Sequence, residues 1–205
     1  MATGGRGAGA ARRGADIDFT VKAKVLGGLL VVMWVLEIVD AVLGGSLDQF
    51  GIRPRSTDGL VGLAASPFLH GGFEHLVSNT IPFAVLGFLT MVHGVGTFWR
   101  VSLFAALVGG LLVWLVGASN SVHIGASGVI FGYFGFLLAM GFFERSAKAI
   151  LIAVLVGLGY GGLIFGVLPS QPGVSWEGHL FGFLAGGTSA WMLASAARRR
   201  AGTSR

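Results

Sequence analysis

Between Arg100 and Glu144 the sequence carries no charged residue. As a single helix that stretch would be about 65 Å long at ~1.5 Å per residue, roughly twice the ~30 Å hydrocarbon core of a bilayer. It has to turn back on itself, and the polar, glycine-rich segment 117–128 is where the turn falls. The whole chain follows the same trend. It is 54% hydrophobic and 11% charged, against about 25% charged in an ordinary soluble domain, and its mean hydropathy is +0.80. Its own ions could not keep such a surface wet. Cysteine is absent, which removes a disulfide-stapled scaffold. Glycine accounts for 36 of 205 residues, more than twice the usual ~7%, with no Gly-X-Y period to suggest collagen. An integral membrane protein is what remains.

Runs of about 20 apolar residues between polar breaks predict six helical spans, at residues 25–43, 75–93, 101–116, 127–143, 149–167 and 179–197. Charge predicts their orientation. Five cations precede the first span, Arg100 follows the second, Arg145 and Lys148 follow the fourth, and four arginines follow the sixth. Only Arg53 and Arg55 fall on the other side. The positive-inside rule then puts both termini in the cytoplasm. Topology accounts for the basic pI of 10.5, and no nucleic-acid partner is expected. Residues 1–20, rich in Gly, Ala and Arg, read as a disordered basic cytoplasmic tail, 21–197 as one membrane domain, and 198–205 as a second basic tail. No apolar core with a small-residue cleavage site precedes the first span, so a cleavable signal peptide is not expected. The one long loop, residues 45–74, is long enough to have a role beyond connection.

Strongly polar side chains within a bilayer are costly, and each is a functional candidate. In the first span Glu37 and Asp40 are three apart and share a helix face. They either face the bundle near its outer end or belong to a proton relay, for which no Lys or Arg lies at matching depth. In the second span His75 and Asn79 stand at i and i+4, on one face. Two readings fit this pair: donors converging on a developing oxyanion, or a hydrogen-bonded link to a neighbouring helix. A zinc site is not expected. The helical metalloprotease pattern His-Glu-x-x-His fails, because Leu76 follows His75 and position 79 is Asn. His93, near the inner end of the second span, reads as an interfacial residue.

Gly125-Ala-Ser127-Gly128 opens the fourth span. At a helix N-terminus, free backbone N–H groups and the helix dipole favour negative charge. Ser127 there is either a capping serine or a nucleophile beside an oxyanion site. A nucleophile needs a base, and the sixth span begins Gly178-His179-Leu-Phe-Gly182-Phe-Leu-Ala-Gly186. His179, Gly182 and Gly186 lie on one stripe, and small residues at such spacing let membrane helices approach closely. Gly128, Gly132 and Gly135 make a matching stripe on the fourth span. If these faces pack, Ser127 and His179 meet at one end of adjacent helices.

The set His75-x-x-x-Asn79, Gly125-x-Ser127-Gly128 and Gly178-His179-x-x-Gly182-x-x-x-Gly186, each in its own span, resembles the rhomboid intramembrane serine proteases. The resemblance covers residues ~25–197. It implies an all-α, six-transmembrane-helix bundle with a Ser127–His179 dyad and no catalytic acid. It gives His75, Asn79 and the Ser127 backbone N–H the oxyanion role, and His70 a structural place in the loop. Glu177, two residues before His179, reads as a loop charge. Two departures stand out. The residue four after the serine, often Tyr in the family and stacked beneath the histidine, is Phe131 here. The first outer loop has Phe50-Gly-Ile-Arg-Pro-Arg55 in place of a Trp-Arg pair.

The function expected on this basis is hydrolysis of peptide bonds in or near transmembrane helices of membrane-protein substrates. No cofactor or metal is implied. Partners would be the lipid bilayer and those substrates; oligomeric state is not fixed by the sequence. The location expected is a cell membrane, multi-pass, and the Ala/Gly/Arg bias suggests a bacterium of high GC content. Two rivals share the composition: a rhomboid-like scaffold that binds membrane helices without cutting them, and a small transporter subunit. The transporter would show repeat symmetry or spans broken at the midplane, and neither is evident in the sequence.

Overall fold

The computed structural model describes the backbone of residues 5–169 and 173–203, with side chains for 18–169 and 173–200. The uncharged stretch after Arg100 does turn back on itself at the polar segment, giving two helices. Four more complete an all-α bundle: α1 Gly5–Val42, α2 Phe73–Thr90, α3 Val95–Val116, α4 Ser127–Glu144, α5 Ala147–Tyr160 and α6 Trp176–Thr203. A tight 3₁₀ turn, Gly161–Val167, extends α5 to a spanning length. All six segments are long and apolar enough to cross a bilayer. The described residues contain no strand, only one antiparallel bridge between Ile52 and His123.

The backbone is helical from Gly5 into the first span and through Thr203 after the last. The boundaries at 20/21 and 197/198 therefore fall inside continuous helices. Ala and Arg are strong helix formers, and neither boundary carries a proline to end the helix. Residues 1–4 and 204–205 lie outside the described part.

α4 is the axis of the bundle. Every residue from Val129 to Leu137 is buried, as expected for a helix apolar all round. α5 is the opposite case, with Leu151, Leu155 and Leu158 exposed. Outward-facing side chains such as Val31, Ile38, Ile81 and Leu111 continue that apolar surface on the other helices. A contiguous exposed apolar surface of this extent marks contact with a nonaqueous partner, and with six such helices the partner is lipid.

α4 and α6 approach through glycine. A Cβ at Gly182 would overlap the Gly128 carbonyl oxygen, and one at Gly186 would overlap that of Gly132. A Cβ at Gly135 would in turn meet the Phe183 carbonyl. The two stripes read from the sequence are in backbone contact. α3 joins the same seam through Gly109, against the backbone of Phe181 and Gly182. There α3 relaxes into a π-helical turn, Ala105–Gly109, a local widening that often accompanies functional sites.

Tyr133 on α4 is wholly buried, its ring stacked on Phe98 at 5.4 Å between centroids. Its hydroxyl lies 2.7 Å from Ser102 Oγ, which itself donates to the Phe98 carbonyl. Tyr133 is therefore the donor in that pair. Tyr133→Phe removes one neutral hydrogen bond and leaves Ser102 still donating, so a loss of only about 1 kcal/mol is expected. Thermal unfolding in detergent would measure it.

At the end of the bundle away from Ser127, His93 packs edge-on against Phe136 and sits 3.5 Å from a Glu144 carboxylate oxygen. It is half-buried and ties α2 to α4, where a residue at the lipid interface was expected. Glu37 and Asp40 face inward and are buried. Asp40 accepts the Leu47 N–H at 2.6 Å and so fixes the start of the long loop.

That loop is anchored by a device the sequence reading lacked. Arg55 takes a left-handed backbone, φ +57°, and donates to the Leu115 carbonyl and to Ser119 Oγ. A guanidinium at a helix C-terminus satisfies carbonyls that have no intrahelical partner. Trp114 replies by donating to the Ser56 carbonyl at 2.8 Å. An Arg and a Trp thus hold the loop, with the Trp on α3.

Candidate active site

Ser127 is the first helical residue of α4, and Ala126 occupies the capping position with no side-chain cap. Of the two roles open to this serine, capping is the one its position does not fit. Its hydroxyl is half-buried, beside N–H groups that have no intrahelical acceptor. Immediately before it, Gly125 has φ +110°, which L side chains rarely adopt. A Cβ there would also lie 2.7 Å from both Cε1 and Nε2 of His75. Only glycine lets that imidazole approach the turn so closely.

His75 is oriented by its other nitrogen. The Gly71 N–H points to His75 Nδ1 at 3.3 Å, so Nδ1 accepts and the ring proton sits on Nε2. That Nε2–H faces the Gly125 turn. One turn along α2, Asn79 is buried and donates one amide hydrogen to the His75 carbonyl at 2.8 Å. Its second amide hydrogen remains for the cavity that it lines.

His179 stands one turn into α6 and is buried. Its ring lies flat on Phe131, with centroids 4.1 Å apart and planes 5° from parallel. Its Nδ1 lies 2.9 Å from the Gly166 carbonyl oxygen. A carbonyl can only accept, so Nδ1 carries the proton and Nε2 keeps its lone pair. The loss of a tyrosine hydroxyl at position 131 leaves the stacking intact. Gly166 lies in the tight turn after α5, and a Cβ there would crowd both Phe131 and His179.

These side chains share one cavity of about 1010 Å³, lined by His75, Asn79, Ser127, Phe131 and His179. Ser121–Ile124 and Gly173–Glu177 form its polar mouth. The connection between α5 and α6 includes residues 170–172, which lie outside the described part. Glu177, read as a loop charge, is in the first turn of α6, where the dipole favours it. Gly128, Gly182 and Gly186 lie behind the cavity in the α4–α6 seam. No group of three His, Asp or Glu side chains suited to a metal ion occurs among the described residues.

His70 supports the turn from beneath. It is 1% exposed, and its Nε2 accepts the Ala126 N–H at 3.4 Å. Burial, with His75 adding to it, pushes its pKa down to about 4. The folded state thus binds this proton less readily than the unfolded chain, whose histidine titrates near 6.5. Stability is present above pH 6.5 and falls as pH drops toward 4. The full shift corresponds to about 3 kcal/mol. Denaturation in detergent across that window would show the loss, and His70→Gln is expected to flatten it.

The sequence reading did not find the Gly166 carbonyl, which orients His179, nor His123 and Ser175 at the cavity mouth. A carbonyl leaves no trace in residue type. The latter two are 52 positions apart, with no motif to join them.

The match to known proteins is consistent across the membrane region. A family model, the Rhomboid domain, matches residues 57–196. A protein of Mycobacterium bovis is 40% identical over 188 residues, covering 85% of this chain and 78% of its own length. One of Mycobacterium leprae is 40% identical over 178 residues, covering 83% and 70%. Both carry names that assign no activity. Rhomboid-like protein 11, chloroplastic, of Arabidopsis thaliana is 32% identical over 141 residues, covering 62% of this chain and 50% of its own length. With six membrane-spanning helices packed on a glycine seam and a family match over most of its length, the chain belongs to the rhomboid family of multi-pass membrane proteins.

Proposed function

We propose that this protein is an intramembrane serine endopeptidase that hydrolyses peptide bonds in or near transmembrane helices of membrane-protein substrates. The observation that carries the reading is the state of His179. Its Nδ1–H is held by the Gly166 carbonyl and its ring is clamped on Phe131, so its basic Nε2 is free in the cavity that Ser127 lines. A base oriented by a third group, opening into the same cavity as a serine hydroxyl, supports nucleophilic catalysis.

In this mechanism Ser127 Oγ attacks the scissile carbonyl while its proton passes to His179 Nε2. The tetrahedral oxyanion accepts hydrogen bonds from His75 Nε2–H, the free Asn79 amide hydrogen and the Ser127 backbone N–H. His179 then gives its proton to the leaving amine, and the acyl chain stays on Ser127. Water entering through the polar mouth is deprotonated by His179, attacks the ester and restores the serine. A helical substrate presents no open carbonyl, so cleavage should favour stretches weakened by Gly or Pro. The distribution of Lys and Arg puts both termini in the cytoplasm and the cavity at the opposite face of a cell membrane.

The test is cleavage of a reporter membrane protein, with a glycine-containing transmembrane segment, in liposomes. Wild type should cut it, and Ser127→Ala and His179→Ala should not. Equal cleavage by all three would sink the reading. Binding of the reporter with no cleavage by wild type would leave the non-cutting scaffold as the better account.

A further inference from the structure

His123 is one of five histidines in the chain, and the mechanism above does not use it. It lies in the loop between α3 and α4, with its side chain 8% exposed. Its backbone is held on both sides by Ile52: the Ile52 N–H donates to the His123 carbonyl at 3.0 Å, and the His123 N–H donates to that of Ile52 at 2.9 Å. The ring bridges two serines, Nδ1 at 2.6 Å from Ser175 Oγ and Nε2 at 2.8 Å from Ser121 Oγ.

The direction of every proton in this chain can be derived. Ser175 Oγ accepts the Gly178 N–H at 3.2 Å, capping α6, which leaves its own proton free to point at His123 Nδ1, 2.6 Å away. Ser121 lies 2.6 Å from the Ala118 carbonyl and must donate there, which leaves its oxygen to accept from His123 Nε2–H. Only the neutral ring with its proton on Nε2 satisfies all five groups. A charged ring would add an Nδ1–H donor aimed at Ser175, whose own proton would then have to turn away. Burial lowers the pKa of His123, against the opposing pull of Glu177, and so favours the neutral form.

The two ends of this bridge are not arbitrary. His123 is four residues before Ser127, and Ser175 is four residues before His179. The Ser175 carbonyl also accepts the His179 N–H at 3.1 Å. The bridge therefore joins the approach to one helix with the cap of the other, at the mouth of the cavity. Further in, the same two helices are held by the Gly128–Gly182 contact. We propose that His123 is a positioning residue, whose ring, held between Ser121 and Ser175, sets the separation of Ser127 from His179. As a statement about catalysis this rests on the hydrolase reading; as a statement about the bridge it does not.

The experiment has two independent readouts on the full-length protein in detergent. The first is the rate of labelling by a fluorophosphonate probe, compared for wild type, Ser127→Ala, His123→Ala, His123→Gln and Ser175→Ala, with thermal unfolding of each. A glutamine amide can accept from Ser175 and donate to Ser121, as the ring does. His123→Ala is expected to slow Ser127-dependent labelling by about tenfold or more, with Ser175→Ala similar and the double variant no slower than either, because partners in one network are not additive. His123→Gln should recover most of the rate. Wild-type labelling by His123→Ala, or a Gln variant no better than Ala, overturns the proposal.

The second readout is the tautomer of His123, from ¹⁵N resonances of the histidine side chains assigned by comparison with His123→Gln. An Nε2–H ring with unprotonated Nδ1 supports the bridge, and an Nδ1–H or doubly protonated ring at neutral pH overturns it. If the probe does not label wild type, the hydrolase reading fails on its own, and the tautomer still decides the bridge.

Discussion

Ser127→Ala is expected to lower cleavage of a membrane-protein reporter by about 10⁴-fold or more. The size follows from what the hydroxyl does in the proposed reaction. Without Oγ there is no acyl-enzyme, and water would have to attack directly in a cavity shaped for a different nucleophile. His179→Ala should have an effect of the same order, since an unassisted serine hydroxyl is a poor nucleophile near neutral pH. The two losses should not add. A serine without its base and a base without its serine disable the same step, so the double variant should be no worse than either single one. Both side chains line an existing cavity, so neither truncation should unfold the protein. Matching unfolding curves for the three proteins would separate lost chemistry from lost structure.

Gly186→Ala is expected to destabilise the fold by about 3 kcal/mol or more, although alanine is the better helix former by ~1 kcal/mol. A Cβ at this position would overlap the Gly132 carbonyl oxygen and lie 2.8 Å from the Phe136 nitrogen. Those are backbone atoms of the central helix and cannot rotate aside. Either α6 moves away from α4, loosening contacts along the whole seam, or the overlap stays as strain, and overpacking costs of this kind usually exceed the propensity gain. Gly187 supplies the control. A Cβ there meets nothing within 4 Å, so Gly187→Ala should leave stability unchanged or raise it by up to ~1 kcal/mol. Denaturant titration in detergent micelles would read both, and equal stability of the two variants would refute the seam argument.

Glycine explains why so much of the bundle could be read from the chain. A stripe such as Gly128-Gly132-Gly135 has few uses in lipid other than letting a second backbone in, and only one other span offered a stripe with a histidine at its head. The pairing of α4 with α6 followed, and with it the neighbourhood of Ser127 and His179. The helix ends were less legible. α3 begins at Val95 and α6 at Trp176, both earlier than hydropathy suggested. Polar or charged residues such as Thr97, Arg100 and Glu177 end an apolar run but do not end a helix.

The details of the site were the least legible, for a reason specific to each residue. The Phe131–His179 stack was implied by the family resemblance, which puts an aromatic ring four residues after the serine and beneath the histidine. The tautomer of His179 needed the Gly166 carbonyl, a backbone atom placed by a turn after α5. The anchoring of the first outer loop needed the contacts of Arg55 with Leu115 and of Trp114 with Ser56, which join residues about 60 positions apart.

The sequence by itself determined a six-span, all-α membrane protein and the residue types available for chemistry. The reason is that lipid leaves a polar side chain or a glycine row little other purpose. Only the tertiary structure decided which nitrogen of His75, His123 and His179 carries the proton. That choice depends on a single acceptor or donor within about 3 Å, and those groups, Gly166 for His179, Gly71 for His75 and the two serines for His123, come from the folding of the loops.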